Sequence, residues 1–155
     1  MVRILIQMDF FNELRSRSGF APQKAAIVKG TILENLFLKD TAEKFDPHRF
    51  NLAVSSACLD FLDNSSLFEI KERGLNLSGG EGQRINIMRA LYHSDLACFA
   101  DEMTASLDKE TEHRIITSII KNYPDISFFI VSHRDLNELG FSHQLEVKDG
   151  LVNLG

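Results

Sequence analysis

At 155 residues with 44% hydrophobic content, the chain is long enough for one domain with its own core, and no low-complexity stretch argues for disorder. A net charge of −5, with 17 basic residues scattered rather than clustered, excludes a nucleic-acid surface from the expectations and favours protein partners. No apolar run approaches the ~20 residues of a membrane helix, and Met1-Val2-Arg3-Ile4-Leu5-Ile6-Gln7 turns polar too soon for a signal peptide, so an intracellular chain, soluble or peripheral, is expected.

Val2 to Ile6 reads as a short strand and Gly19-Phe20-Ala21 as another, with Phe10, Phe11 and Leu14 supplying apolar contacts between them. Phe50 to Leu62 places Leu52, Val54, Ala57, Cys58, Phe61 and Leu62 at helical spacing, so a helical region interrupts the sheet elements. Ser78 to His93 reads as a helix opened by a capping box, with Ser78 at the N-cap and Glu81 three residues on. Ile85, Met88, Leu91 and Tyr92 form its inner side. Leu96 to Ala100 follows as a buried strand.

Asp108 then starts a helix that carries Ile115, Ile116, Ile119 and Ile120, with Glu110 and Glu112 near its positive end and Asn122 and Pro124 at its stop. Ser127-Phe128-Phe129-Ile130-Val131-Ser132 is a continuous apolar run of the kind buried on both faces of a parallel sheet. Gln144 to Lys148 and Leu151 to Asn153 flank Asp149-Gly150, a hairpin signal. The alternation of strand and helix makes the fold α/β.

Two stretches carry chemistry. Leu77-Ser78-Gly79-Gly80-Glu81 offers bare N–H groups and a hydroxyl at a helix start, where a phosphate is held. Leu96-Ala97-Cys98-Phe99-Ala100 runs into Asp101 and Glu102, and two carboxylates at the end of an apolar strand suit a metal anchor and a base acting on water. Cys58 and Cys98 have no metal-ligand or CxxC spacing and read as reduced buried thiols. His48, His93, His113 and His143 have no motif around them and read as surface residues.

Together these motifs resemble the signature and Walker B motifs of ATP-binding cassette (ABC) proteins. The resemblance makes Asp101 the Walker B aspartate, a Mg²⁺ anchor acting through water, and Glu102 the catalytic base. It makes Ser78, Gly79, Gly80 and Glu81 the segment that meets the γ-phosphate of ATP held by the opposite subunit. Met103-Thr104-Ala105-Ser106-Leu107-Asp108 stands where the family has Pro-Thr-Ser-Ala-Leu-Asp, so Asp108 is the D-loop aspartate, and Met103 in place of proline loosens the turn. His133, at the end of the next strand, corresponds to the switch histidine, and Gln23 in Gly19-Phe20-Ala21-Pro22-Gln23 to the Q-loop sensor of Mg²⁺ and water.

Gly30-Thr31-Ile32-Leu33-Glu34-Asn35-Leu36 resembles a Gly-Thr-Ile-x-Glu-Asn segment of exporters, and Phe68 to Gly74 resembles the loop through which exporter ATPases touch their membrane domains. The phosphate loop GxxxxGK needs a Gly-Lys pair, and none of Gly19, Gly30, Gly74, Gly79, Gly80, Gly82, Gly140, Gly150 and Gly155 is followed by lysine. The sequence thus resembles the latter part of an exporter-type nucleotide-binding domain, a P-loop NTPase fold without Walker A. Its expected division is a helical subdomain at about 36–77 and a part at 78–155 with the signature, Walker B, D-loop and switch histidine.

The resemblance implies ATP and Mg²⁺ as ligands, and a second nucleotide-binding domain and an exporter's transmembrane domain as partners. It implies a cytoplasmic place at the membrane through that partner, and no activity for the chain alone. The other function the sequence allows is a non-catalytic interaction module that donates its signature face to a partner's ATP site.

Overall fold

The computed structural model describes residues 8–38, 45–59, 68–134, 136, 139–148 and 151–154. The expected strand over Val2 to Ile6, the Asp149-Gly150 turn, and Phe61 and Leu62 lie outside these residues. In chain order the elements are α1 (Met8–Ser16), β1 (Ser18–Ala21), β2 (Gly30–Thr31), α2 (Ile32–Phe37), α3 (Pro47–Ser56), β3 (Glu69–Ile70), α4 (Gly79–Tyr92), β4 (Ala97–Asp101), α5 (Lys109–Asn122), β5 (Ser127–Val131), β6 (Leu145–Lys148) and β7 (Leu151–Leu154). Strands β1, β4 and β5 form a parallel sheet in that order, and β6 pairs β7 antiparallel as the expected hairpin.

Local chemistry sets the helix limits. Asp46 caps α3 by accepting from the amides of His48 (2.9 Å) and Arg49 (3.2 Å), and Pro47 stands at the first helical position, where its missing N–H costs nothing. The helix therefore begins before Phe50, and it ends at Ser56 rather than Leu62 because Cys58 takes a left-handed φ of 54°. Thr31 and Glu34 close a capping box at the start of α2, and the Asn35 amide ties down the backbone of Val28 on both its N–H and its carbonyl. The segments around Gly30 and Ile70 meet, because β2 pairs β3 antiparallel with Gly30 opposite Ile70.

The core lies between the sheet and α4, with α3 and α5 completing it. Helix α4 is buried along nearly its whole length from Gly82 to Tyr92. Ile115, Ile116 and Ile119 of α5 are buried, each contributing on the order of 2 kcal/mol by leaving water, whereas Ile120 faces outward. Gly19 is required by close approach, since a methyl there would lie 2.0 Å from the Ala90 carbonyl oxygen.

One sheet face differs from expectation. Strand β5 is not buried on both sides, because Phe129 is 56% and Val131 60% exposed. Phe20, Phe99 and Phe129 are aligned by register across the three strands, with the Phe99 and Phe129 rings stacked at 5.0 Å; Phe11, Leu14 and Arg15 of α1 flank the Phe20 and Phe99 end, while Phe20 and Phe129 stay exposed. The opposite face, with Ala21, Cys98 and Ala100, is packed on the helices.

Candidate functional site

Parallel pairing places the carboxyl ends of β1, β4 and β5 side by side, with Ala21 opposite Ala100 and Ala100 opposite Ile130. A crevice outside such ends is where open α/β sheets bind ligands. Asp101 is the last residue of β4, Glu102 follows it, and Gln23 and His133 lie two residues past the ends of β1 and β5. Glu102 leaves its strand with a left-handed φ of 45°, a conformation costing roughly 1 to 3 kcal/mol for a residue with a side chain, and its N–H donates to the Val131 carbonyl at 2.9 Å.

The turn this makes carries the Glu102 carboxylate between two partners. Its Oε1 lies 2.9 Å from His133 Nε2, and its Oε2 accepts from Gln23 Nε2 at 2.9 Å. The Glu102 side chain is 18% exposed and that of His133 is 90% exposed, so the pair sits at a rim with a shielded carboxylate and an open imidazole. Such a carboxylate can take a proton from water held nearby, and such an imidazole can donate to an anion. Asp101 is exposed beside them.

The other expected residues sit at two helix starts. Ser78 Oγ accepts from the Glu81 amide at 3.2 Å, and Glu81 Oε2 accepts from the Ser78 amide at 2.6 Å. That second bond holds the Glu81 carboxyl below its usual range. Glu81 is thereby committed to the cap, and the amides of Gly79 and Gly80 are the donors a phosphate would meet. Asp108 caps α5, its Oδ1 accepting from the Thr111 amide at 2.9 Å and its Oδ2 from the Thr111 hydroxyl at 2.8 Å, and these bonds lower its carboxyl too. Among the described residues no hydrogen bond joins these two caps to the Glu102 group.

Gly80 connects the start of α4 to the turn over residues 103–108. A methyl on Gly80 would come within 3.2 Å of Leu107 Cδ2 and 3.7 Å of the Ser106 carbonyl oxygen, whereas one on Gly79 would meet nothing within 4 Å. Met103, in the place of the family's proline, is buried at 2% exposure and so anchors the turn through its side chain.

Sequence reasoning missed the polar side chains that hold these loops. Gln83 Nε2 donates to the Gln23 carbonyl (3.3 Å) and the Glu102 carbonyl (3.4 Å), Asn86 Nδ2 to the Pro22 carbonyl (3.0 Å), and Arg89 to the Ala26 (3.0 Å) and Asn35 (3.2 Å) carbonyls. Their steps of three along one helix were the available signal. Burial lowers the Arg89 pKa, and the guanidinium is compensated by those carbonyls and by Asn86 Oδ1 at 2.7 Å. His93 is not a surface residue, since its Nε2 sits 2.9 Å from the Leu36 carbonyl oxygen and its ring packs edge-on to Phe37 and Tyr92. The Cys58 and Cys98 thiols are reduced and buried, and burial pushes Cys98 up to about 11, where it is inert.

No group of three or more His, Cys, Asp or Glu side chains able to hold a metal occurs among the described residues. The donor set fits Mg²⁺, which uses one or two carboxylates plus substrate phosphates and water. Exposed Asp101 would offer the carboxylate, and the amide oxygen of Gln23, whose nitrogen is engaged by Glu102, would be a second donor.

No family model matches the chain. It is 36% identical over 127 residues to the beta-(1→2)glucan export ATP-binding/permease protein NdvA of Agrobacterium fabrum, covering 79% of this chain and 21% of that protein. A multidrug resistance ABC transporter ATP-binding and permease protein of Lactococcus lactis is 32% identical over 123 residues, covering 77% and 21%. The structure of a bacterial Atm1-family ABC exporter with ATP bound matches with a TM-score of 0.66 and 30% identity, over 79% of this chain and 22% of that one. The chain thus spans about a fifth of the length of these relatives. Its mixed α/β architecture with a parallel sheet matches that of part of an ABC ATPase fold, and the proteins it is similar to are ABC exporter ATP-binding/permease proteins.

Proposed function

We propose that this chain is the ATP-binding part of an ABC exporter, coupling ATP binding and hydrolysis to export when a phosphate loop is supplied from outside this sequence. The single observation that carries the reading is the meeting of Glu102 with His133 and Gln23 at the strand ends. Glu102 accepts a proton from the attacking water, and His133 donates to the γ-phosphate. Asp101 and Gln23 would hold Mg²⁺, which would supply neutralisation of phosphate charge. Ser78, Gly79 and Gly80 offer their helix start to the γ-phosphate of a second nucleotide-binding domain, and Glu81 and Asp108 hold the two helix starts in shape.

In this reading residues at about 36–77 form the helical subdomain, and 78–155 carry the signature, Walker B, D-loop and switch histidine. The partners are that second domain and a transmembrane domain, approached through the segment around β3, and the chain lies on the cytoplasmic side of the membrane. No helix among the described residues is long and apolar enough to cross a membrane, which fits a membrane contact made through a partner.

The test mixes the chain with an intact ABC domain that binds ATP. Stimulated hydrolysis that is lost in Ser78→Arg supports sharing of an ATP site. Equal stimulation by both chains sinks it and favours an interaction module that binds without sharing the site.

A further inference from the structure

Arg134 follows His133 directly, and its guanidinium is spent on the turn that leads to Asp108. One terminal nitrogen donates to the Leu107 carbonyl at 3.1 Å and to Glu112 Oε2 at 2.8 Å. The other donates to the carbonyls of Ala105 and Leu107, both at 3.1 Å. Glu112, in the first turn of α5, is 5% exposed, and its second carboxylate oxygen accepts from the hydroxyl of buried Thr104. Both oxygens of a buried carboxylate are therefore committed, one to the turn itself and one to the arginine that grips it.

His133 has little packing of its own, since 90% of its side chain is exposed. The imidazole is placed by Glu102 on one side and by its own backbone on the other, and Arg134 fixes that backbone. The same turn carries Leu107 against Gly80, at the start of the signature helix. A lysine could not reproduce the grip, because only a planar fork reaches two carbonyls and a carboxylate at once.

We propose that Arg134 is a positioning residue which, with Glu112 and Thr104, locks the turn over residues 103–108 to His133, so that Asp108, His133 and the Ser78 helix start move as one unit. The functional consequence rests on the ATP-site reading given above; the lock does not.

A merely structural ion pair is separable from a positioning one. Replacing buried Glu112 and 35%-exposed Arg134 together by apolar groups of similar size leaves no charge unpaired, yet it leaves the carbonyls of Ala105 and Leu107 ungripped. The variants are therefore Arg134→Met, Arg134→Lys and the triple Thr104→Val/Glu112→Leu/Arg134→Met, all in the full chain. In amide exchange without nucleotide, the turn amides of Ala105 and Leu107 should exchange about tenfold or more faster in the triple, with the α4 core amides unchanged. Unchanged exchange at both turn amides overturns the lock.

With an intact ABC domain and ATP, the triple should lower the stimulated kcat about tenfold while KM for ATP holds, and Arg134→Lys should not rescue it. Wild-type kcat in a triple whose turn exchanges fast overturns the positioning role. If the wild-type chain stimulates nothing, the ATP-sharing reading fails, and the exchange experiment still decides the lock.

Discussion

Glu102 Oε1 and His133 Nε2 stand 2.9 Å apart although one follows β4 and the other β5, because parallel register brings both strand ends to the same level. The pair is assembled without a phosphate loop in this sequence. Glu102→Gln should therefore leave the isolated chain's ATPase rate at background, since without the loop's donors no nucleotide is positioned for the base. A measurable drop in phosphate release on mutation would reveal a phosphate site within this chain.

Gly79 offers a separation of stability from function. Nothing lies within 4 Å of a methyl added there, and Gly79 is the first helical residue, so Gly79→Ala should raise stability by less than the ~1 kcal/mol of a helix-interior site. The same methyl would stand where a phosphate must approach the amides, so stimulation of a partner's hydrolysis should fall. Urea denaturation and the mixed ATPase assay check the two halves, and a variant that is both more stable and fully stimulating refutes the phosphate role.

Gly19→Ala should behave in the opposite way. A side chain 2.0 Å from the Ala90 carbonyl forces β1 away from α4, and overpacking against backbone costs about 3 kcal/mol or more. A urea midpoint within error of wild type would show that β1 and α4 do not pack this closely.

The line of Phe20, Phe99 and Phe129, with Val131 beside it on β5, an edge strand among the described residues, invites association. Light scattering of the purified chain should show dimers or larger species, and Phe129→Lys with Val131→Glu should shift the population to monomer. A monomeric wild type with well-protected β5 amides contradicts this.

Helix α4 and helix α5 both start on a carboxylate whose pKa is lowered, Glu81 by the Ser78 amide and Asp108 by Thr111. A carboxyl lowered in the fold binds its proton more weakly there than in the unfolded chain. Its stability contribution is thus present above the unfolded pKa and lost as pH falls through the folded one. The wild-type urea midpoint should drop between about pH 5 and pH 3, and Glu81→Gln/Asp108→Asn should lose less over that window. An equal loss in both proteins would place the acid sensitivity elsewhere.

What the sequence disclosed was local chemistry. Ser78 with Glu81, Asp108 before an amphipathic run, and apolar residues ending in Asp101 and Glu102 each fix a structure within a few residues, and each was found in place. What escaped was decided across the chain. Nothing in Ser127 to Ser132 states which sheet face is covered, so β5 reads as doubly buried when it is not. The Gln83, Asn86 and Arg89 contacts end on residues some sixty positions upstream, and His93 is drawn inward by Leu36. Thr31 with Glu34 was legible as a capping box and passed unread.

The bonds from α4 to the loop around Gln23 all end on main-chain oxygens, those of Pro22, Gln23 and Ala26. A scaffold that reads only the backbone imposes a path without dictating most side chains along it, Gln23 and Ile27 excepted, since the first holds Glu102 and the second packs on the core. Substitutions within that loop should therefore accumulate without loss of its shape, while a single change at Asn86 or Arg89 alters the path for every residue on it. In a graft between relatives, the loop and the face of α4 that grips it form one heritable part.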